Sequence, residues 1–175
     1  MTEMTEINAP RLRKVLEHVT EHPEEYDQEY WCGTTCCVAG HTTSMAGWHH
    51  FGSASLVTHL DDSVLMEMFG RYVEYIDSLK LTFLPRGHGS TRDRLRDNRD
   101  LQLRVSPTER RQGIPVPFVA RELLGLSPRD ADMMFSGDAT LNQIWRMAQN
   151  WTNGEVAPTP DQQVKIDEID AGERD

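Results

Sequence analysis

The chain is 175 residues long and carries 18 Lys and Arg against 28 Asp and Glu, for a net charge of −10. A chain of this length forms one domain with its own core, and its acidity argues against a general nucleic-acid surface, because phosphate contacts need clustered cations. No run approaches the roughly 18–20 consecutive apolar residues of a membrane-crossing helix. The start, MTEMTEINAP, has acids where a secretory signal has a basic end and an apolar stretch, so a soluble, cytoplasmic protein is expected.

Residues 8–22, NAPRLRKVLEHVTEH, place Leu12, Val15, Leu16 and Val19 on one helical face, with Asn8 to cap the helix and Pro10 tolerated in its first turn. Pro23 cannot continue that helix, and PEEYDQE is a polar connection to Tyr30 and Trp31. A second, short helix is expected over about 35–46, capped by Thr34 or Thr35 and stopped by Gly47; its Ala, Gly, Ser and Thr allow close approach to neighbours. Over 61–79, Val64, Leu65, Met68, Phe69, Tyr72, Val73, Ile76 and Leu79 form one broad apolar stripe, with Asp61 and Asp62 at the positive end of the helix.

The composition then changes. Residues 85–112 hold eight arginines against four acids and few apolar side chains, which reads as a flexible Arg-rich insertion or a solvated loop with internal ion pairs. Within it, Arg92, Arg94, Arg96 and Arg99 are candidates to bind a phosphate-bearing ligand. Regular structure resumes where Pro117 can open a helix that Gly125 closes, and Ser127 can cap the next, with Pro128 at its first position and Asp130 three residues past the cap. Asp138 or Thr140 can start a last helix with Leu141, Ile144, Trp145 and Ala148 inward. The expectation is one mainly helical domain over 1–151, of five or six helices with at most a short hairpin near 30–35, followed by an acidic, disordered tail over 152–175.

The densest chemistry lies in 31–41, WCGTTCCVAGH, which holds all three cysteines of the chain. An odd number within six residues is unlike a secreted disulfide framework, so the thiols are expected reduced. Three readings are open. As a zinc site, Cys32, Cys36 or Cys37, and His41 supply three ligands, and His49, His50 or the pair His18 and His22, spaced to share a helix face, complete the set. As an active site, Cys36 in the first turn of a helix has its thiolate stabilised, and His41 takes its proton, giving a cysteine-dependent hydrolase or transferase. As structure, Cys36, Val38 and Ala39 are small residues on the buried side of a close helix contact, bracketed by Trp31 and Trp48. The packing reading is the simplest.

Other surface signals are weaker. LLGLSPRDADMMF has the helix, turn, helix pattern of DNA-reading domains, but its second helix sets Arg129 against Asp130 and Asp132, a poor surface for phosphates. Glu17, Glu21, Glu24, Glu25, Asp27 and Glu29 read first as an ordinary solubilising surface, and second as an acidic array suited to a basic partner, for which it competes with nucleic acid.

Taken together, EHPE at 21–24, the stretch from Trp31 to His41, and ARELLGLSPRDADMMF at 120–135 resemble small uncharacterised proteins of actinobacteria and their bacteriophages. Those carry W-x-C-G-T-x-x-C-x-A-G-H and a later L-L-G-L helical block; here Cys32 follows Trp31 directly. The resemblance implies a phage or mobile-element accessory protein that is non-enzymatic and acts by binding a host bacterial protein or an intracellular ligand. The zinc module and the cysteine enzyme stand as its alternatives.

Overall fold

The computed structural model describes residues 6–28, 37–51, 56–83 and 113–172. In chain order these form α1 (Ala9–Glu21), a 3-10 turn (Pro23–Glu25), α2 (Val38–Met45), β1 (Trp48–Phe51), β2 (Leu56–His59), α3 (Asp62–Phe83), β3 (Ile114–Pro115), α4 (Val116–Leu124), α5 (Pro128–Met134), α6 (Leu141–Trp151) and α7 (Pro160–Gly172). The chain is a mainly helical domain with a small antiparallel sheet of order β1-β2-β3, in which Trp48 pairs with His59 and Val57 with Ile114.

Local signals account for most element boundaries. The Asn8 side chain accepts from the Arg11 amide at 3.1 Å to start α1, and Pro23 ends it by opening the 3-10 turn. Ser127 caps α5 through the Asp130 amide at 3.1 Å, and Thr140 with Gln143 forms a reciprocal capping box on α6. Gly125 ends α4 with φ +67°, and a Cβ there would overlap the Glu6 carbonyl, so both conformation and space require glycine.

The core follows the apolar stripes. Leu12, Val15, Leu16 and Val19 of α1 are buried, each contributing about 1.5–3 kcal/mol by the usual burial scale, and they face α2, α4 and α7. Residues 38–43 of α2 are buried all round, and Ala39 and Gly40 let α2 pack closely on α4. Leu141, Ile144, Trp145 and Ala148 of α6 face inward as their spacing predicts. The Trp145 Nε1–H donates to Thr20 Oγ1 at 3.0 Å, and that hydroxyl donates to the Leu16 carbonyl at 2.8 Å, joining α6 to α1 inside the core.

The structure departs from the sequence reading at α2, which begins at Val38 with Cys37 at its N-cap rather than near residue 35 with Thr34 or Thr35 as the cap, and at the C-terminal end. Residues 160–172, expected within a disordered tail, form α7, which buries Ile166 and Asp170. The Asp170 carboxylate accepts from the Leu141 amide at 2.8 Å and the Asn142 amide at 3.0 Å, so α7 satisfies the open amides at the start of α6. With α7 the described residues hold seven α-helices, against the five or six expected. The hairpin expected near 30–35 and the insertion at 85–112 lie outside the described residues; the hairpin that is described is β1–β2.

Candidate metal centre

The end of α1 carries His18 in its last turn and His22 at its C-cap. They are one helical turn apart and therefore neighbours on one face, with ring centroids 4.8 Å apart. The 3-10 turn that Pro23 forces then swings Glu25 back over the helix, so that Glu25 Oε2 lies 3.2 Å from His18 Nε2 across seven residues of sequence. α2 approaches from the other side and sets the His41 ring 5.1 Å, centroid to centroid, from that of His18. Three separate elements thus converge on one point.

A buried amide fixes this corner. Gln28 Nε2 donates to the Met134 and Ser136 carbonyls, both at 3.0 Å, while its Oε1 accepts from the Val38 amide at 3.3 Å and the Tyr26 hydroxyl at 3.2 Å. Every hydrogen-bonding position on that amide group is matched, which holds the segment carrying Glu25 against the start of α2 and the end of α5.

Among the described residues, two groups bring potential ligand atoms within 4.8 Å of one another: His18, Glu25 and His41, and His22, Glu24 and Glu25. His41 is only 6% exposed, and burial pushes its pKa below the ordinary 6.5, with the neighbouring His18 adding to the depression. It is therefore neutral at neutral pH. Its Nε2 lies 2.9 Å from the Glu25 carbonyl oxygen, which can only accept, so Nε2 carries the proton and Nδ1 holds the lone pair. An imidazole anchored through one N–H to a carbonyl is the usual state of a metal-ligating histidine.

The spacings suit a small divalent ion. With Zn–N and Zn–O near 2.0–2.1 Å, neighbouring donors on a tetrahedron are about 3.3 Å apart, against 3.2 Å here for His18 and Glu25. The open carbonyls at the end of α1 add negative potential that favours a cation. The geometry can therefore coordinate a metal ion through two imidazoles and a carboxylate, a donor set that zinc accepts.

Of the residues singled out from the sequence, His18 and His41 are at this centre, and His22 is beside it. Cys32 and Cys36 lie outside the described residues, as do Arg92, Arg94, Arg96 and Arg99. Cys37 is described: it precedes α2 in the core, and burial raises its thiol pKa, which keeps it protonated and a poor nucleophile. His50 turns to the Ser44 hydroxyl at 3.2 Å and His49 is exposed, and neither joins a potential metal-binding group among the described residues.

The sequence reading placed Glu25 in an acidic array and did not single it out as a candidate ligand. A signal existed in HVTEHPEE, where two histidines one turn apart are followed by a proline that must fold the next carboxylates back. Glu21, between the histidines, borders instead the groove with Lys165 and Glu168 of α7.

A second concavity, about 530 Å³, lies between α3, α4 and α5. The Arg121 guanidinium within it sits 4.3 Å over the Tyr75 ring and 4.7 Å over Phe118, and pairs with Glu122 at 2.7 Å, so its charge is already matched within the protein. No protein-family model, no curated protein and no solved structure matches this chain.

Proposed function

We propose that the protein is a metal-binding module that holds a zinc-class ion on His18, Glu25 and His41. The observation that carries this reading is the convergence of three donors from three elements, with the buried His41 held in the tautomer that leaves a lone pair on Nδ1. A bound divalent ion would replace the proton between His18 and Glu25 and tie the end of α1 to α2.

The accessory-protein reading came from the resemblance, and the acidic array suited to a basic partner, from Glu17 to Glu29, is a separate surface signal. Two of its carboxylates, Glu24 and Glu25, face histidines at 3.4 and 3.2 Å, which favours cation binding at this end of the helix.

Native mass spectrometry and calorimetric zinc titration of the full chain test the proposal. One zinc per chain is expected, removable by a chelator, with affinity lowered at least tenfold in Glu25→Gln and in His18→Gln. A wild-type chain that takes up no zinc at micromolar concentration, or binds it equally well without either side chain, rules the reading out.

A further inference from the structure

The His18, Glu25 and His41 set supplies three ligands, and a three-ligand zinc site keeps a position open for water or substrate whereas a four-ligand site is closed. The choice decides whether the ion is chemically accessible. Building on the site proposed above, we propose that His22 is the fourth ligand, closing the coordination sphere so that the ion serves as a structural clasp between α1 and α2.

The helix geometry places His22 for this role. It lies one turn beyond His18 on the same face, with ring centroids 4.8 Å apart and planes tilted by 40°; His18 and His41 are 5.1 Å apart with planes tilted by 60°. Two imidazoles on one tetrahedral zinc have ring centres roughly 5 Å apart at ordinary Zn–N distances. Both histidine pairs have that separation, with His18 in the middle. Glu25 belongs to both potential ligand groups, so a turn of the His22 side chain about Glu25 would bring its ring nitrogen to the set on His18, Glu25 and His41.

His22 is free to turn. Its side chain is 46% exposed, and its Nδ1 lies 3.4 Å from the carboxylate of Glu24, a glutamate that is itself 68% exposed. A surface contact of this kind contributes little and costs little to break. Glu24 then acts as a partner of the ligand rather than as a ligand itself. A tetrahedron of three imidazoles and one carboxylate also selects against ions that demand six oxygen ligands.

Cobalt(II) reports this directly, because its visible absorption reflects coordination number and responds when an added anion enters an open position. The wild-type chain is expected to take up one cobalt(II), with an intense tetrahedral spectrum that thiocyanate leaves unchanged. His22→Ala should fold normally by circular dichroism, since the side chain is exposed, bind cobalt(II) about 10–100-fold more weakly, and shift its spectrum on adding thiocyanate. Glu24→Gln should stay within about threefold of wild-type affinity.

A wild-type spectrum that responds to thiocyanate as His22→Ala does, or an unchanged affinity in His22→Ala, overturns the closed site while leaving the three-ligand site standing. Two cobalt ions per chain, one of them lost in both His22→Ala and Glu24→Gln, overturns it in favour of a second ion on His22, Glu24 and Glu25. No uptake at all removes the underlying metal site as well.

Discussion

The two ends of α1 are built on opposite principles. At the start, the Asn8 amide donates to the Leu124 carbonyl at 2.9 Å, the Arg11 guanidinium to the Leu123 carbonyl at 3.1 Å, and Gly125 leaves no room for a side chain. Further along, Leu16 and Thr20 are locked to α6 through Trp145. At the far end, the partly exposed His18, His22, Glu24 and Glu25 gather beside the buried His41 of α2, and the exposed four make contacts with one another. The buried face of the helix is committed to stability down to Val19 and Thr20; the histidine face at its far end carries groups that the apolar core does not use.

The largest expected effect comes from breaking the stable end. Trp145→Ala removes a fully buried indole and leaves the Thr20 hydroxyl without its donor, which should cost about 3–5 kcal/mol in chemical denaturation. Next is Asp170→Asn, which keeps the shape but weakens two charge-assisted bonds to the start of α6. A loss of about 1.5–3 kcal/mol is expected, read as a lower denaturation midpoint with the denaturant slope unchanged.

The histidine end should announce itself through pH. The pKa of His41 is depressed in the folded state, so above its ordinary 6.5 neither the folded nor the unfolded chain carries this proton and the contribution to stability is flat. As pH falls below that value the unfolded chain takes up the proton first, and the metal-free protein loses stability until pH passes the folded pKa. Denaturation of chelator-treated protein between pH 7.5 and 5.5 should show this loss, and His41→Gln should reduce it; an identical pH dependence in the variant would sever the link to His41.

The smallest stability effect sharpens the contrast most. Glu25→Gln in metal-free protein should change unfolding free energy by no more than about 0.5 kcal/mol, because the carboxylate is half exposed, while reducing the stabilisation that added zinc gives the wild type by about 1.4 kcal/mol or more. A large loss in the absence of metal would mean that the two ends of α1 are not separable.

Much of the framework was legible because its signals are local. The α1 stripe, the Ser127 and Thr140 caps and the Gly125 stop each act within a few residues, and each is where the sequence places it. The strands WHHF and LVTH are too short and too polar to show alternation, so β1 and β2 could not be read from pattern. α7 was hidden because it buries little apolar surface and is tied down by Asp170, whose partners lie 28 and 29 residues earlier. The centre was half legible: His41 stood out through its cysteine neighbours and the histidine pair through its spacing. Glu25 looked like one acid among many, since only the turn after Pro23 brings it back to His18.

The saturated amide of Gln28 has a consequence for the order of assembly. Its two donor bonds reach carbonyls 106 and 108 residues further along the chain, while one of its acceptor bonds holds the start of α2. Contacts of that sequence separation carry a large loop-closure cost and form only with the global fold. The corner that holds the segment after Glu25 against α2 is therefore completed late in folding, once the end of α5 has docked on Gln28.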